Sequence, residues 1–352
     1  MTGKFAKIFL MIISLPLFLL LAEIILTIIP IDTFFENRFF LVNRALDYPE
    51  LFKKDKELFW RFRPSQSVSS KFFKNKEYHI NDYGLRGDEI KPDTGQIRII
   101  GLGNSCTFGW GIGYDTTYLQ QLSRLLATNA EMPSCEIINA GIPGYSSFQG
   151  RRFFFSDLAD LNPDIVLMMF GWNDQWAAAD NIPDDMQKMP PQIIIDIQNS
   201  LSRLKLYRLI KKIILSVIEE PLDNKLNREN PVYRVNETEF FENLETIAVH
   251  CLKNNIVPIV LTSPIPSLDK YYPPGSKSMM HNYHEYYNHQ ARNLTRNSPI
   301  QLIDLARIFD NYDNLFDDAR TDPIHFNVLG HKVAGEAIYD YLKENREEIF
   351  NQ

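Results

Sequence analysis

From residue 97 onward, short solid apolar runs alternate with stretches whose apolar residues recur at helical spacing. The runs Ile97–Leu102, Cys135–Asn139, Ile165–Phe170, Ile256–Thr262 and Ile300–Leu305 predict strands. Ile165–Phe170 is apolar on both faces, as a central strand of a parallel sheet must be. Between the strands, Asp115 can cap a helix running to about Asn129, with Tyr118, Leu122, Leu125 and Leu126 on one face. Phe148–Leu161 predicts a second helix, stopped by Asn162-Pro163-Asp164. Glu237–Asn254 predicts a third, and the last begins at Asn327 and buries Val333, Ala334, Ala337, Ile338, Tyr341 and Leu342. Five strands alternating with helices predict a three-layer α/β/α sandwich around a parallel sheet.

Two regions depart from this rhythm. Ile8–Ile29 is almost wholly apolar, interrupted by Pro16 and Glu23. As a helix it is long enough for a bilayer core of about 30 Å. Lys4 and Lys7 precede it, which places the N-terminus in the cytoplasm and the rest of the chain outside it. No A-x-A cleavage site follows, so the expectation is an uncleaved single-pass anchor in the cell membrane, with a periplasmic catalytic domain. The second departure is an insertion at about 175–235. Its Ile193–Glu219 stretch predicts a helix with a basic, imperfectly amphipathic pattern, expected to pack over the domain. Residues 1–31 are thus expected as cytoplasmic end and anchor, 32–95 as a juxtamembrane extension rich in aromatics, and 96–345 as the main domain.

Composition adds exclusions. The 352 residues are 45% hydrophobic and 23% charged, an ordinary globular balance, and carry a net charge of −7. An acidic surface argues against nucleic acid as a partner. The three cysteines, Cys106, Cys135 and Cys251, make no disulfide framework and no zinc-type spacing. His281, His284 and His289 with Glu285 likewise fit no standard zinc pattern.

The candidate chemistry lies just beyond the strand ends, the edge where open parallel sheets bind ligands. Gly103-Asn104-Ser105 follows the first strand, Asn139-Ala140-Gly141 ends the second, and Gly171-Trp172-Asn173-Asp174 follows the third. Asp322-Pro323-Ile324-His325 comes well after the fifth. A serine hydroxyl becomes a useful nucleophile when a base takes its proton. His325 can be that base, and Asp322 can hold its other ring nitrogen. The N–H groups of Ser105 and Gly141 and the side-chain amide of Asn173 can stabilise an oxyanion. Each residue also has an ordinary use: Ser105, Asp322 and His325 can cap helices, and Asn173 can sit in a turn. Gly101-Leu102-Gly103 is no dinucleotide fingerprint, because Cys106 stands at the third glycine position. Thr107 likewise breaks the nucleophile elbow Gly-x-Ser-x-Gly.

These four blocks resemble the SGNH, or GDSL-type, hydrolases over roughly Ile97 to Leu342. The family's Ser, Gly, Asn and His fall on Ser105, Gly141, Asn173 and His325, and its Asp falls on Asp322. The resemblance implies a flavodoxin-like sheet, serine esterase or acyl-transfer chemistry, and no metal or organic cofactor. The turn Asn81–Gly87 beside an N-terminal anchor is similar to membrane-tethered bacterial members. Asn104 departs from the pattern, since it stands where the family usually has Asp. The expected activity is hydrolysis of a small-molecule or glycan acyl ester. The alternatives are an O-acyltransferase or deacetylase acting on an envelope glycan, and an anchored binding protein without catalysis. Arg86 is expected on the surface and His331 as a structural residue. Trp110, Trp172, Trp176 and Tyr145 are candidates for lining a cleft or for burial.

Overall fold

The computed structural model describes residues 2–28, 48–69, 76–91, 95–178, 181–218, 232–266, 279–318 and 322–350. Expectations for 29–47, Phe72, Phe73, Glu219 and 267–278, and for the His281 side chain, lie outside the described residues. The chain divides into two compact units, residues 1–61 with 188–231, and 62–187 with 232–352.

The first unit holds the N-terminal helix Thr2–Ile28, the strand β1 (Phe52–Asp55), all but the last residue of its partner β2 (Phe59–Phe62), and helices Gln192–Leu201 and Lys205–Ile218. Asn199 closes onto β1: its Oδ1 accepts from the Lys54 N–H at 2.7 Å and its Nδ2 donates to the Lys54 carbonyl at 2.9 Å. The expected single helix Ile193–Glu219 is broken at Ser202–Leu204, where the Ser202 hydroxyl turns back to the Asn199 carbonyl.

The transmembrane expectation is corrected here. Among the described residues, no helix is long and apolar enough to cross a membrane. The single-pass topology, the membrane partner and the periplasmic placement that rested on that helix fall with it. The Thr2–Ile28 helix contains Pro16, and its Glu23 has a specific use. The Glu23 carboxylate accepts from the N–H groups of Lys205 at 2.7 Å and Leu206 at 2.9 Å, the orphan donors that open the Lys205–Ile218 helix. A carboxylate there also complements the positive end of that helix. Lys205 Nζ reaches the Thr27 carbonyl at 3.3 Å, and Leu26 is buried.

The second unit carries the sheet that sequence patterning predicts. After the antiparallel pair β3 (Gln66–Ser69) and β4 (Glu77–Ile80) come β5 (Ile97–Gly103), β6 (Cys135–Gly141), β7 (Ile165–Met169), β8 (Val257–Leu261) and β9 (Gln301–Ile303). These five are parallel, in the order β6-β5-β7-β8-β9. The hairpin β10 (Phe316–Asp318) and β11 (Asp322–Phe326) follows.

Alternate side chains feed two cores. Ile99, Leu167 and Ile259 face helices Tyr118–Thr128 and Val328–Glu344 and pack with Leu119, Leu122, Ala334 and Ile338. On the opposite face lie helices Ser147–Phe153, Glu237–Lys253 and Met279–Thr295. Helix Tyr118–Thr128 starts two positions later than expected, because Thr117 rather than Asp115 caps it through its bond to the Gln120 N–H. The predicted helix Phe148–Leu161 is α-helical only over Ser147–Phe153. It then widens into a π turn and tightens into a 3-10 turn that ends at Asn162 in the left-handed region.

Candidate active site

β5 delivers Ser105 to the sheet's C-terminal edge as the first residue of a four-residue helix, Ser105–Phe108. So short a helix cannot persist by its own hydrogen bonds. Asn104 caps its start, with Oδ1 accepting from the Cys106 N–H at 2.9 Å. An aspartate would cap in the same way, so Asn104 provides this helix start without a charge.

Arg86 secures the other end of the helix. It donates to the carbonyls of Phe108, of Gly109 at 2.7 Å and of Ile112 at 2.8 Å, and lies 4.6 Å from the ring centres of both Tyr78 and Phe108. It is 2% exposed, so the surface position expected from sequence is corrected. Burial lowers its pKa to about 10, against the raising influence of Tyr78 and Tyr114. It remains a cation at neutral pH, placed where a helix C-terminus favours one.

The hairpin β10–β11 brings His325 to Ser105. His325 Nε2 lies 2.9 Å from Ser105 Oγ, and His325 Nδ1 lies 2.9 Å from both oxygens of Asp322. An ionised carboxylate only accepts, so Nδ1 carries the proton and the Nε2 lone pair faces the serine hydroxyl. Burial raises the Asp322 pKa. The hydrogen bonds and charge of His325, with the N–H of Ile324, outweigh it and hold the carboxyl below its usual range. Ser105 is 9% exposed, and His325 and Asp322 are partly exposed. The neighbouring Cys106 is fully buried, and its thiol, pushed up by that burial, donates to the Ile324 carbonyl at 3.3 Å. This ties the serine's helix to the histidine's strand.

The loops after β6 and β7 supply donors, but not all of those expected. The Gly141 N–H already donates to Asn139 Oδ1 at 3.0 Å. The glycine itself is needed for close packing, since a Cβ there would stand 2.2 Å from the Phe108 nitrogen. Ile142–Tyr145 then forms a β-turn, closed by the Tyr145 N–H on the Ile142 carbonyl at 3.1 Å. Pro143 and Gly144 occupy its centre, with Gly144 at φ +86, the signature of a type II turn.

Each other N–H of 142–147 has an acceptor: Ile142 on Gly103, Tyr145 on Ile142, Ser146 on Gln149 and Ser147 on Asp174. The Gly144 N–H has none among the described residues. Asn173 is buried and gives one amide hydrogen to the Tyr145 carbonyl at 3.0 Å, leaving its second. Its neighbour Asp174 shapes the β7 loop, accepting from the N–H groups of Ser147 at 2.8 Å and Gly171 at 3.0 Å. Burial raises the Asp174 pKa to about 6, opposed by these bonds and by Arg234.

The structure thus joins Ser105, His325 and Asp322 directly and leaves Gly141 with another partner. Gly144, which the sequence reading passed over, carries the unused donor. Of the aromatic candidates, Trp172 and Tyr145 are buried, and Trp172 stacks on His284 at 4.0 Å; Trp110 and Trp176 are partly exposed. Glu285 pairs with Arg292, and His289 with Asn293. Among the described residues no group of three His, Cys, Asp or Glu side chains converges.

A parallel sheet in the order β6-β5-β7-β8-β9, with Ser105, His325 and Asp322 gathered beyond its C-terminal edge, is the arrangement expected of the SGNH hydrolases. Residues 102–333 match the GDSL-like Lipase/Acylhydrolase family, and the chain belongs to that family of hydrolases acting on ester bonds. Similar solved structures include the lipase/acylhydrolase from Enterococcus faecalis, at 18% identity and TM-score 0.45, covering 71% of this chain and 96% of that one. Another is Axe2, an acetylxylan esterase from Geobacillus stearothermophilus, at 16% identity and TM-score 0.46, covering 72% and 96%. No curated protein sequence matches the chain.

Proposed function

We propose that this protein cleaves carboxylic esters with Ser105 as nucleophile, His325 as general base and acid, and Asp322 as the group that orients and charge-balances the imidazole. The observation that carries this is the unbroken chain from Asp322 through His325 to Ser105, with 2.9 Å at each link. Ser105 Oγ attacks the acyl carbonyl while His325 Nε2 takes its proton. The carbonyl π pair moves to oxygen, and the oxyanion is met by the N–H groups of Ser105 and Gly144 and the second amide hydrogen of Asn173. Gly141 is left out because its N–H serves Asn139. Collapse breaks the ester C–O bond, and the alcohol leaves with the proton from His325. Water, activated by the same histidine, then releases the acid and restores Ser105.

Hydrolysis and acyl transfer share the acyl-serine and differ in the acceptor. Removal of acetyl groups from a glycan is one form of this reaction, and transfer of an acyl group to a glycan is the reverse preference. Aryl acetates and acetylated xylan are the first substrates to try, with free acid and acyl-sugar measured in the presence and absence of a glycan acceptor. Ser105→Ala should abolish turnover of both. Turnover equal to that of the parent protein overturns the assignment. A product balance dominated by acyl-sugar assigns transfer instead of hydrolysis.

A further inference from the structure

We propose that Arg234 and Asp184 are positioning residues that hold the Gly144 turn in place as an oxyanion donor. This inference deepens the ester-cleavage reading above and rests on it.

The turn fixes its own shape through Pro143 and Gly144, but not its place relative to Ser105. Two groups grip it by its carbonyls. Asn173 Nδ2 holds the Tyr145 oxygen at 3.0 Å, and Arg234 Nη1 holds the Gly144 oxygen at 2.8 Å. The rest of the Arg234 fork is spent nearby. Nε and Nη2 reach the two oxygens of Asp184 at 3.1 and 2.8 Å, and Nη2 also reaches Gln149 Oε1 at 2.7 Å.

Those acceptors are tied to Ser146, the residue that follows the turn. Gln149 closes the capping box with Ser146, and the Ser146 hydroxyl donates to Asp184 Oδ2 at 2.6 Å. Arg234 and Asp184 also face each other through their backbones, since the Asp184 N–H donates to the Arg234 carbonyl at 2.8 Å. Both side chains are 5% exposed. A buried ion pair is no efficient way to add stability, because desolvation consumes most of the attraction. It is an efficient way to fix geometry, because a planar guanidinium donates along set directions. Misplacement by about 1 Å can reduce a rate by about 100-fold, so a donor on a free turn needs such an anchor.

The test uses the full chain with Arg234→Met, Arg234→Lys and Asp184→Asn. Folding is checked by circular dichroism and melting temperature, and turnover by an aryl acetate. A trifluoromethyl ketone probes the oxyanion site, because it adds to Ser105 Oγ and places an anionic oxygen there. In Arg234→Met, kcat should fall by about 10- to 100-fold with KM within about threefold, as for partial loss of one oxyanion donor. The inhibition constant of the ketone should rise by the same factor. Arg234→Lys and Asp184→Asn should fall between Arg234→Met and the parent. A purely structural role changes melting temperature without this paired change in kcat and ketone affinity. The proposal is overturned if folded Arg234→Met keeps its kcat, if kcat falls while ketone affinity stays, or if none of the variants folds. Failure of the ester-cleavage reading looks different: the parent protein itself then neither hydrolyses the ester nor binds the ketone, and the positioning role falls with it.

Discussion

At the scale of single residues, the site separates groups that must ionise from groups that must not. Asp322 stays ionised because the hydrogen bonds it accepts from His325 hold its carboxyl below the usual range. Asp322→Asn keeps the shape but lets the wrong imidazole tautomer form, so kcat should drop by up to about 10,000-fold. An unchanged kcat in that variant would remove Asp322 from the account. His331 shows the opposite arrangement. It is buried, accepts from the Tyr118 N–H at 3.1 Å and stacks on the Tyr118 ring. Burial first, and then the neighbouring Arg86 and His325, lower its pKa from the ordinary 6.5 to about 3. Its structural role was legible in the sequence from its place inside the last helix. Because the folded pKa is depressed, the unfolded chain takes up the proton first as pH falls below about 6.5. Stability contributed by neutral His331 is therefore complete above that pH and is lost as pH falls toward 3. Between pH 7 and 4.5 the loss should be about 2–3 kcal/mol. Urea unfolding of the parent and of His331→Gln at both pH values checks it: the pH-dependent loss should shrink in the variant, and equal losses contradict the assignment.

At the scale of elements, the strands were the most legible part, because a parallel strand covered on both faces must be apolar throughout. All five predicted strands are present within a few residues of their expected ends. Helices were read less well where local chemistry interrupts a continuous apolar pattern, as at Ser202–Leu204 and in the turns after Phe153. The N-terminal run misled for a related reason. Hydropathy sums every side of a helix and cannot register that Glu23 caps a second helix. Arg86 was misplaced because a lone arginine in a turn-rich stretch gives no sign of the aromatic pair and three carbonyls that await it. Those contacts hold the short Ser105–Phe108 helix, so Arg86→Met should cost about 3 kcal/mol in urea unfolding. A loss under about 0.5 kcal/mol, typical of surface sites, contradicts this role. The glycines of the β6 loop were visible as letters, but only hydrogen-bond accounting separates them. Gly141 is a packing glycine whose replacement by alanine drives a Cβ into backbone, and about 3 kcal/mol or more of stability should be lost.

At the scale of the whole molecule, the site exists only when the sheet does. Ser105 and His325 are 220 positions apart in the chain, and the β5 loop and the β10–β11 hairpin bring them to 2.9 Å. The motif blocks brought Ser105, Asp322 and His325 forward as candidates, the serine because it stands beyond a strand whose pattern is unmistakable. The contacts of Arg234 and Asp184 around the Gly144 turn were not readable, because these two residues belong to no block and meet only in the folded chain. On the proposed reading, reactivity of Ser105 therefore requires the native fold. The most direct measurement is labelling of the full chain by a fluorophosphonate, read by intact mass and by the modified peptide. One adduct should form on Ser105 in the native protein. It should be absent in Ser105→Ala, be strongly slowed in His325→Ala and disappear at the denaturant concentration that unfolds the chain. No adduct on the native protein, or an adduct on another residue, would contradict the account.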